Sequence, residues 1–216
     1  MTDIGIVSPN MLKLFFDCPM KYYWRYQKQV SPPVLDKNFD VGKNIHAIAS
    51  YYLKGENVAK FEHALNETEK KYWNYLKSVD YFRYDTVGIE KSISCKINDY
   101  WIGGRIDAIA QKDNNLYILD YKTGGIKEDM TYDYQTMIYM LCCDSLYENF
   151  NSLKFIYIDL KNQKNIEINY TNDLKIEYKN RLVSDCNKIN SFKKNKFIYP
   201  KNCKCEYSKI CKTNIT

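Results

Sequence analysis

The segment YILDYKTGG (117–125) carries Asp120 and Lys122, and a glycine pair closes it one residue behind the lysine. Thirteen residues upstream, Asp107 ends GGRID (103–107). If 116–122 is a strand, Leu116, Ile118, Asp120 and Lys122 share one face, so the carboxylate and the ammonium are neighbours at its end. The same alternation puts Arg105, Asp107 and Ile109 on one face of the preceding segment, and antiparallel pairing brings Asp107 within reach of the other two. Two carboxylates and a lysine then converge. Oxygen ligands of this kind suit a hard divalent cation, Mg²⁺ or Mn²⁺. Such an ion offsets the carboxylate repulsion and sharpens a bound water into a nucleophile. Lys122 then orients the water or neutralises charge developing on a phosphate. The chemistry this pattern points to is phosphodiester hydrolysis. An isolated Asp-x-Lys would most simply be an ion pair at a sheet edge; GGRID followed by DYKTGG is a joint pattern that chance supplies rarely.

The elements that must hold these residues are legible from the periodicity. Ser8-Pro9 reads as a helix cap and first-turn proline, with Met11, Leu12, Phe15, Cys18, Tyr22, Tyr23 and Tyr26 recurring at helical spacing and Pro19 positioned to split the helix. A second helix is expected from Val41 through GKNIHAIASYYL, and a third from Val58 to Lys77. Three strands in antiparallel succession follow, IEKSISCKI, YWIGGRIDAIA and LYILDYK, with turns at Asn98-Asp99 and QKDNN. A helix over 130–146, two further strands (LKFIYIDL and NIEINY) and a last helix over 173–192 complete an α/β domain of the α+β sort.

Length and composition fit one soluble domain with a real core: 216 residues, 45% hydrophobic and 27% charged. No run approaches the roughly 18 apolar residues of a membrane span, and the N-terminus lacks a signal-peptide pattern, so an intracellular, cytoplasmic location is expected. The net charge of +6 is concentrated late, with eight lysines against one glutamate from Asn187 onward. That surplus suits a polyanionic partner, although the abundance of Lys, Asn, Ile and Tyr is also what AT-rich coding produces. No G-x-x-x-x-G-K-[ST] loop is present, which sets nucleotide-driven motor activity aside. In a reducing compartment the eight cysteines are expected as thiols. Cys95, Cys142, Cys143 and Cys186 read as small core residues, whereas Cys203, Cys205 and Cys211 crowd the tail and Cys18 precedes a proline near the start.

GGRIDAIA, ILDYKTG and YQTMIYM resemble motifs of the PD-(D/E)XK nuclease superfamily. The likeness is greatest to its RecB-like branch, which includes CRISPR-associated RecB-like exonucleases and AddB-type nuclease domains. SPNMLKLFFDCPMKYYWRY resembles that branch's opening, so the likeness covers nearly the whole chain. It implies a restriction-endonuclease-like core in a single domain over 1–216: a mixed central sheet flanked by helices, with N-terminal helices and a cysteine-bearing tail. The resemblance further implies Asp107 and Asp120 as metal ligands, the Tyr121 carbonyl as another, and Lys122 as the catalytic lysine. His46, in GKNIHAIA, stands where the branch places a metal-ligating histidine. His63 has no such context and reads as a surface residue. Gln135 and Tyr139, four apart on one helix face, resemble the branch's signature pair that places the strand and the lysine. Glu90 begins the first strand and is left outside the metal set.

The resemblance extends to the tail. Cys18 with Cys203, Cys205 and Cys211 is similar to the one-plus-three arrangement that holds a 4Fe-4S iron–sulfur cluster in this branch, joining residues 1–30 and 195–216 into a clamp; Tyr199-Pro200 and Tyr207 fit the same tail. One departure is plain: a single residue, Lys204, separates the first two tail cysteines where the family usually has two. That leaves an altered cluster, a zinc ion or a non-ligating cysteine open. The implied activity is that of a metal-dependent DNA exonuclease on single strands or free ends, with tyrosines offering stacking surfaces. A second reading is a cluster-containing nucleic-acid-binding subunit of a recombination or CRISPR-adaptation complex, with little activity alone.

Overall fold

In the computed structural model, residues 5–31, 41–126, 129–193 and 203–213 are described; Tyr199 and Pro200 lie outside them. The Ser8 hydroxyl accepts from the Met11 amide at 3.3 Å and caps α1 (Pro9–Asp17). Cys18 is extended, and the chain re-enters as α2 (Pro19–Tyr22), which runs into a π-helical turn at Tyr23–Gln27. Pro19 thus splits the helix as expected. α3 (Val41–Leu53) follows. The helix expected over 58–77 is instead two, α4 (Ala59–Ala64) and α5 (Glu67–Ser78). The reason is a capping box: the Asn66 side chain accepts from the Glu69 amide, and the Glu69 carboxylate accepts from the Asn66 amide. That buried carboxylate also accepts from Asn44 at 2.7 Å, tying α3 to α5.

Six strands form one sheet: β1 (Ile6–Val7), β2 (Asp85–Ile97), β3 (Tyr100–Lys112), β4 (Asn115–Lys122), β5 (Ser152–Asp159) and β6 (Lys164–Asn169). β2, β3 and β4 make the expected antiparallel meander. Asp113 and Asn114, both left-handed (φ 49° and 58°), form the tight turn between β3 and β4. α6 (Tyr134–Leu146) then crosses over so that β5 pairs parallel with β4, and β6 returns antiparallel. β1 pairs parallel with β3 at Trp101 and Ile102; two residues are too short to show a period, and the sequence reading has no strand there. α6 begins four residues later than expected because Asp133 caps it, accepting from the Gln135 amide at 2.8 Å.

Helices cover both faces of the sheet. On one, α1, α6 and α7 (Asn172–Ser191) bury Leu12, Phe15, Met137, Cys142 and Leu182 against Ile109, Ile118 and Phe155. On the other, α3 and α5 bury Ile45, Ile48 and Trp73 against Leu119 and Ile156. The architecture is therefore the expected mixed α/β one. A third, small core joins the chain's two ends: Met20 and Trp24 pack with Tyr207 and with Cys211 of α8 (Ser208–Thr213). No helix among the described residues is long and apolar enough to cross a membrane.

Asp159, at the end of β5, is fully buried and holds the loop behind Lys122 in place. Its carboxylate accepts from the Ile126 amide at 3.0 Å, the Asn162 amide at 3.0 Å and the Asn162 side chain at 2.8 Å. Truncation leaves two amides without this acceptor, so Asp159→Ala should lower unfolding stability by about 2–3 kcal/mol, measured by urea titration. A loss under about 0.5 kcal/mol would show that solvent replaces the carboxylate at no cost.

Candidate active site

β4 ends in Asp120 and Lys122, and their side chains meet as the alternation requires: Lys122 Nζ lies 2.8 Å from Asp120 Oδ2. Gln135, on the first turn of α6, spans both. Its amide nitrogen donates to Asp120 Oδ1 at 3.1 Å, and its carbonyl oxygen accepts from Lys122 Nζ at 2.9 Å. Because each end of the amide has a partner of the right polarity, one orientation of Gln135 fixes both charged groups. Asp120 is buried, and that burial, reinforced by the charge of Asp107, pushes its carboxyl up to about 6 against the pull of Lys122. Lys122 Nζ is thus the one polar group set against Oδ2 of this buried carboxylate among the described residues.

Across from Asp120 the sheet comes apart. β3 and β4 pair as far as Ala108 and Leu119, and beyond that point Asp107 Oδ2 accepts from the Tyr121 amide at 3.0 Å. Asp107 Oδ1 lies 3.1 Å from His46 Nδ1, and His46 Nε2 lies 3.1 Å from the Tyr121 carbonyl. α3, anchored through Asn44, thus places one imidazole between the Asp107 carboxylate and the Tyr121 carbonyl. Burial disfavours protonation of His46. The hydrogen bond and charge of Asp107, the charge of Asp120 and the Tyr121 carbonyl outweigh it, and the pKa is raised.

The simple alternation that put Asp107 on the face of Ile109 needs correction. Ile102 and Ile106 face the same core as Ile109, so the alternation slips by one between Ile106 and Ile109, around Asp107. Opposite Asp107, between the Ile89–Ala108 and Lys91–Ile106 pairs, stands Glu90 with a left-handed φ of 47°. A glutamate in that conformation inside a strand is strained. The consequence is a carboxylate turned toward the cleft, where Arg105 Nε pairs with it at 2.6 Å. Ligand atoms of His46, Glu90 and Asp107 all lie within 4.8 Å of one another, the one such group of three among the described residues. Glu90 is therefore the residue that the sequence reading left out; its only signal was its place two strands from Asp120.

Comparison with known proteins bears directly on this arrangement. The family model of the PD-(D/E)XK nuclease superfamily matches residues 6–212. The chain belongs to that superfamily. No curated protein matches it in sequence. Among solved structures, a candidate exonuclease from Eubacterium rectale superposes with a TM-score of 0.60 at 10% identity, covering 99% of this chain and 90% of that one. SSO0001 is 18% identical with a TM-score of 0.41, covering 96% of each chain.

As a member of a nuclease superfamily, the chain is a hydrolytic nuclease, and nucleic acid is its substrate. Members typically work with Mg²⁺ or Mn²⁺, and the residues present fit such an ion. Two carboxylates and an imidazole converge, and the Asp120 carboxylate is close enough to interact electrostatically with both Asp107 and His46. His46, Glu90, Asp107 and Asp120 are the groups that would hold it, with the Tyr121 carbonyl adjacent. Tyr139 lies against Gln135 and feels the charges of Asp120 and Asp107. It is buried against Gly104, where a Cβ would come within 2.8 Å of its ring, and it stacks on Phe155. Both glycines of GGRID are thus spacers, since a Cβ on Gly103 would meet the Ile93 carbonyl of β2. His63 is exposed.

The structure also gathers the four cysteines singled out above. Cys18 and Cys205 pack against the small core that holds Cys211, and the Cys203 and Cys205 sulfurs lie 3.3 Å apart. The Trp24 indole donates to Cys211 Sγ at 3.2 Å. The sulfurs do not form a second compact group like that of His46, Glu90 and Asp107 among the described residues. Cys95, Cys142, Cys143 and Cys186 are buried in the main core, and no disulfide is formed.

Two outcomes test this geometry. Gln135→Ala should lower kcat by about 10²-fold with the melting temperature nearly unchanged, because Lys122 and Asp120 lose their shared spacer. Glu90→Ala should weaken Mn²⁺ binding about tenfold or more in calorimetry; unaltered affinity would remove Glu90 from the metal set.

Proposed function

We propose that the chain is a divalent-metal-dependent deoxyribonuclease, an exonuclease acting on single strands or free DNA ends. The observation that carries this reading is the convergence of Asp107, Asp120, Lys122, His46 and Glu90 where β3 and β4 part. Resemblance to the candidate exonuclease of Eubacterium rectale agrees with end-directed action. In the net reaction water adds to phosphorus and one ester P–O bond breaks, leaving a phosphate monoester and an alcohol. A bound Mg²⁺ or Mn²⁺ supplies Lewis acidity and a more acidic water. Asp107 and Asp120 hold negative charge where a cation would sit. Gln135 keeps Lys122 beside them, with its ammonium directed to the region that receives the phosphate. An imidazole among carboxylates is a donor set better matched to Mn²⁺ than to Mg²⁺.

At the chain's ends, Cys18, Cys203, Cys205 and Cys211 are proposed to hold a 4Fe-4S cluster. Support comes from Cys18, Cys205 and Cys211 lying on one small core built from both termini, with Cys203 beside Cys205, together with the family resemblance. Anaerobically purified protein should contain iron and acid-labile sulfide, both lost in Cys211→Ser; zinc in their place would favour the alternative metal.

End-labelled single-stranded and duplex DNA, incubated with Mn²⁺, Mg²⁺ or EDTA, tests the activity. Cleavage should need the metal, run faster with Mn²⁺, and be lost in Lys122→Ala and Asp120→Ala. DNA binding without cleavage under every metal would instead support a nucleic-acid-binding subunit.

A further inference from the structure

The cleft that contains His46 and Glu90 continues beyond them. It encloses about 370 Å³, and its wall includes Lys43, Tyr51, Lys54 and Arg105. α3 ends at Leu53, Gly55 with its φ of 78° turns the chain back, and Asn57 accepts from the Ala59 amide at the start of α4. This reversal lays Phe61 of α4 nearly flat on Tyr51, with ring centres 5.1 Å apart and planes 11° off parallel. Both rings stay exposed, Tyr51 at 36% and Phe61 at 48%. The neighbouring Tyr52 turns the other way, stacking on Phe82 and meeting Trp73 edge-on. Tyr52, though 41% exposed itself, thus packs on the rings of Phe82 and Trp73, while Tyr51, stacked on Phe61, lines the cleft. Lys54 Nζ lies 5.8 Å from the centre of the Tyr51 ring.

Parallel aromatic rings, cations at their border and an open path to the metal-ligating groups are the parts of a single-strand subsite. Bases stack on such rings while lysines and arginines meet the phosphates. We infer that the Tyr51–Phe61 pair is a stacking platform for an unpaired nucleobase of the substrate strand, with Lys43, Lys54 and Arg105 supplying the complementary charge. This deepens the nuclease reading of the same cleft and rests on it. A base inside a duplex has both faces covered by its neighbours, so the platform selects a strand that is single at this position. Tyr51 is a specificity residue and Lys122 the catalytic one.

The test measures fluorescence anisotropy in the Lys122→Ala background with Mg²⁺, so that strands are bound and not cut. An oligothymidylate and an abasic deoxyribose-phosphate chain of equal length are compared. With the platform intact, the oligothymidylate should bind about fivefold tighter or more. Tyr51→Leu, which keeps apolar bulk without a π face, should erase that preference, and Tyr51→Trp should keep it. The inference is overturned if the intact platform shows no preference, if Tyr51→Leu retains it, or if Tyr51→Trp loses it as Tyr51→Leu does. Metal-dependent cleavage of an end-labelled strand by the unsubstituted chain is scored separately. Its absence, with the base preference present, would sink the nuclease reading and leave the platform standing.

Discussion

Three carboxylates drawn toward one cleft are the constraint around which the rest of the protein is arranged. Removed from water, each would be costly, and side by side they repel. The chain answers with one partner apiece: the His46 imidazole for Asp107, Lys122 for Asp120 and Arg105 for Glu90. Compensation of this kind does not in itself stabilise a fold, since desolvation offsets much of the Coulombic gain. What it provides is a poised site. Burial first, and the charge of Asp107 second, raise the pKa of Asp120, while the hydrogen bond and charge of Asp107 raise that of His46 against its burial. A divalent ion is the partner such a set of carboxylates favours.

Several local irregularities serve that arrangement. Regular β-pairing would place Asp107 opposite Asp120 and consume the space between them. Instead the two strands stop pairing one residue short, the Tyr121 amide turns to the Asp107 carboxylate, and the opposite residue Glu90 adopts a left-handed conformation. Spacer glycines let β2 approach Gly103 and let Tyr139 lie on Gly104. Strain in Glu90 is tolerated because eleven paired positions of β2 and β3 surround it. Beyond the site, Asp159 does similar service from β5 by fixing the turn that follows Lys122.

What the sequence disclosed and what it hid divide along the same line. Asp120 and Lys122 were legible because a regular strand carries them and period-two alternation is reliable there. The meander, the crossover helix and the split at Pro19 followed from turn and breaker residues whose effects are local. Hidden were the features that depend on irregular backbone or on contacts far apart in the chain. Glu90 reads as an ordinary strand glutamate until its φ is known. The slip of alternation at Asp107 breaks the rule by which its face was assigned. Asn66 sits inside an apparently continuous apolar pattern, and only the reciprocal bonds with Glu69 reveal that a new helix starts there. Tyr51 and Phe61 looked like separate helical residues because their stacking depends on the turn at Gly55.

The site and the joined ends of the chain are also mechanically connected. Cys18 ends α1 and packs against the small core containing Trp24, Tyr207 and Cys211. Earlier on α1, Phe16 stacks on Tyr134 with ring centres 6.1 Å apart, and Lys13 pairs with Asp133 at 2.9 Å. Asp133 is the cap of α6, and the helix it starts carries Gln135, the residue that spans Asp120 and Lys122. From the cysteine core to Lys122, the path therefore runs through α1 and the first turn of α6 without an intervening loop. Since Gln135 acts through the placement of its amide, a shift of α6 by less than a bond length is enough to loosen its hold on both charged groups. The packing at the termini is thus continuous with the contacts that position Gln135.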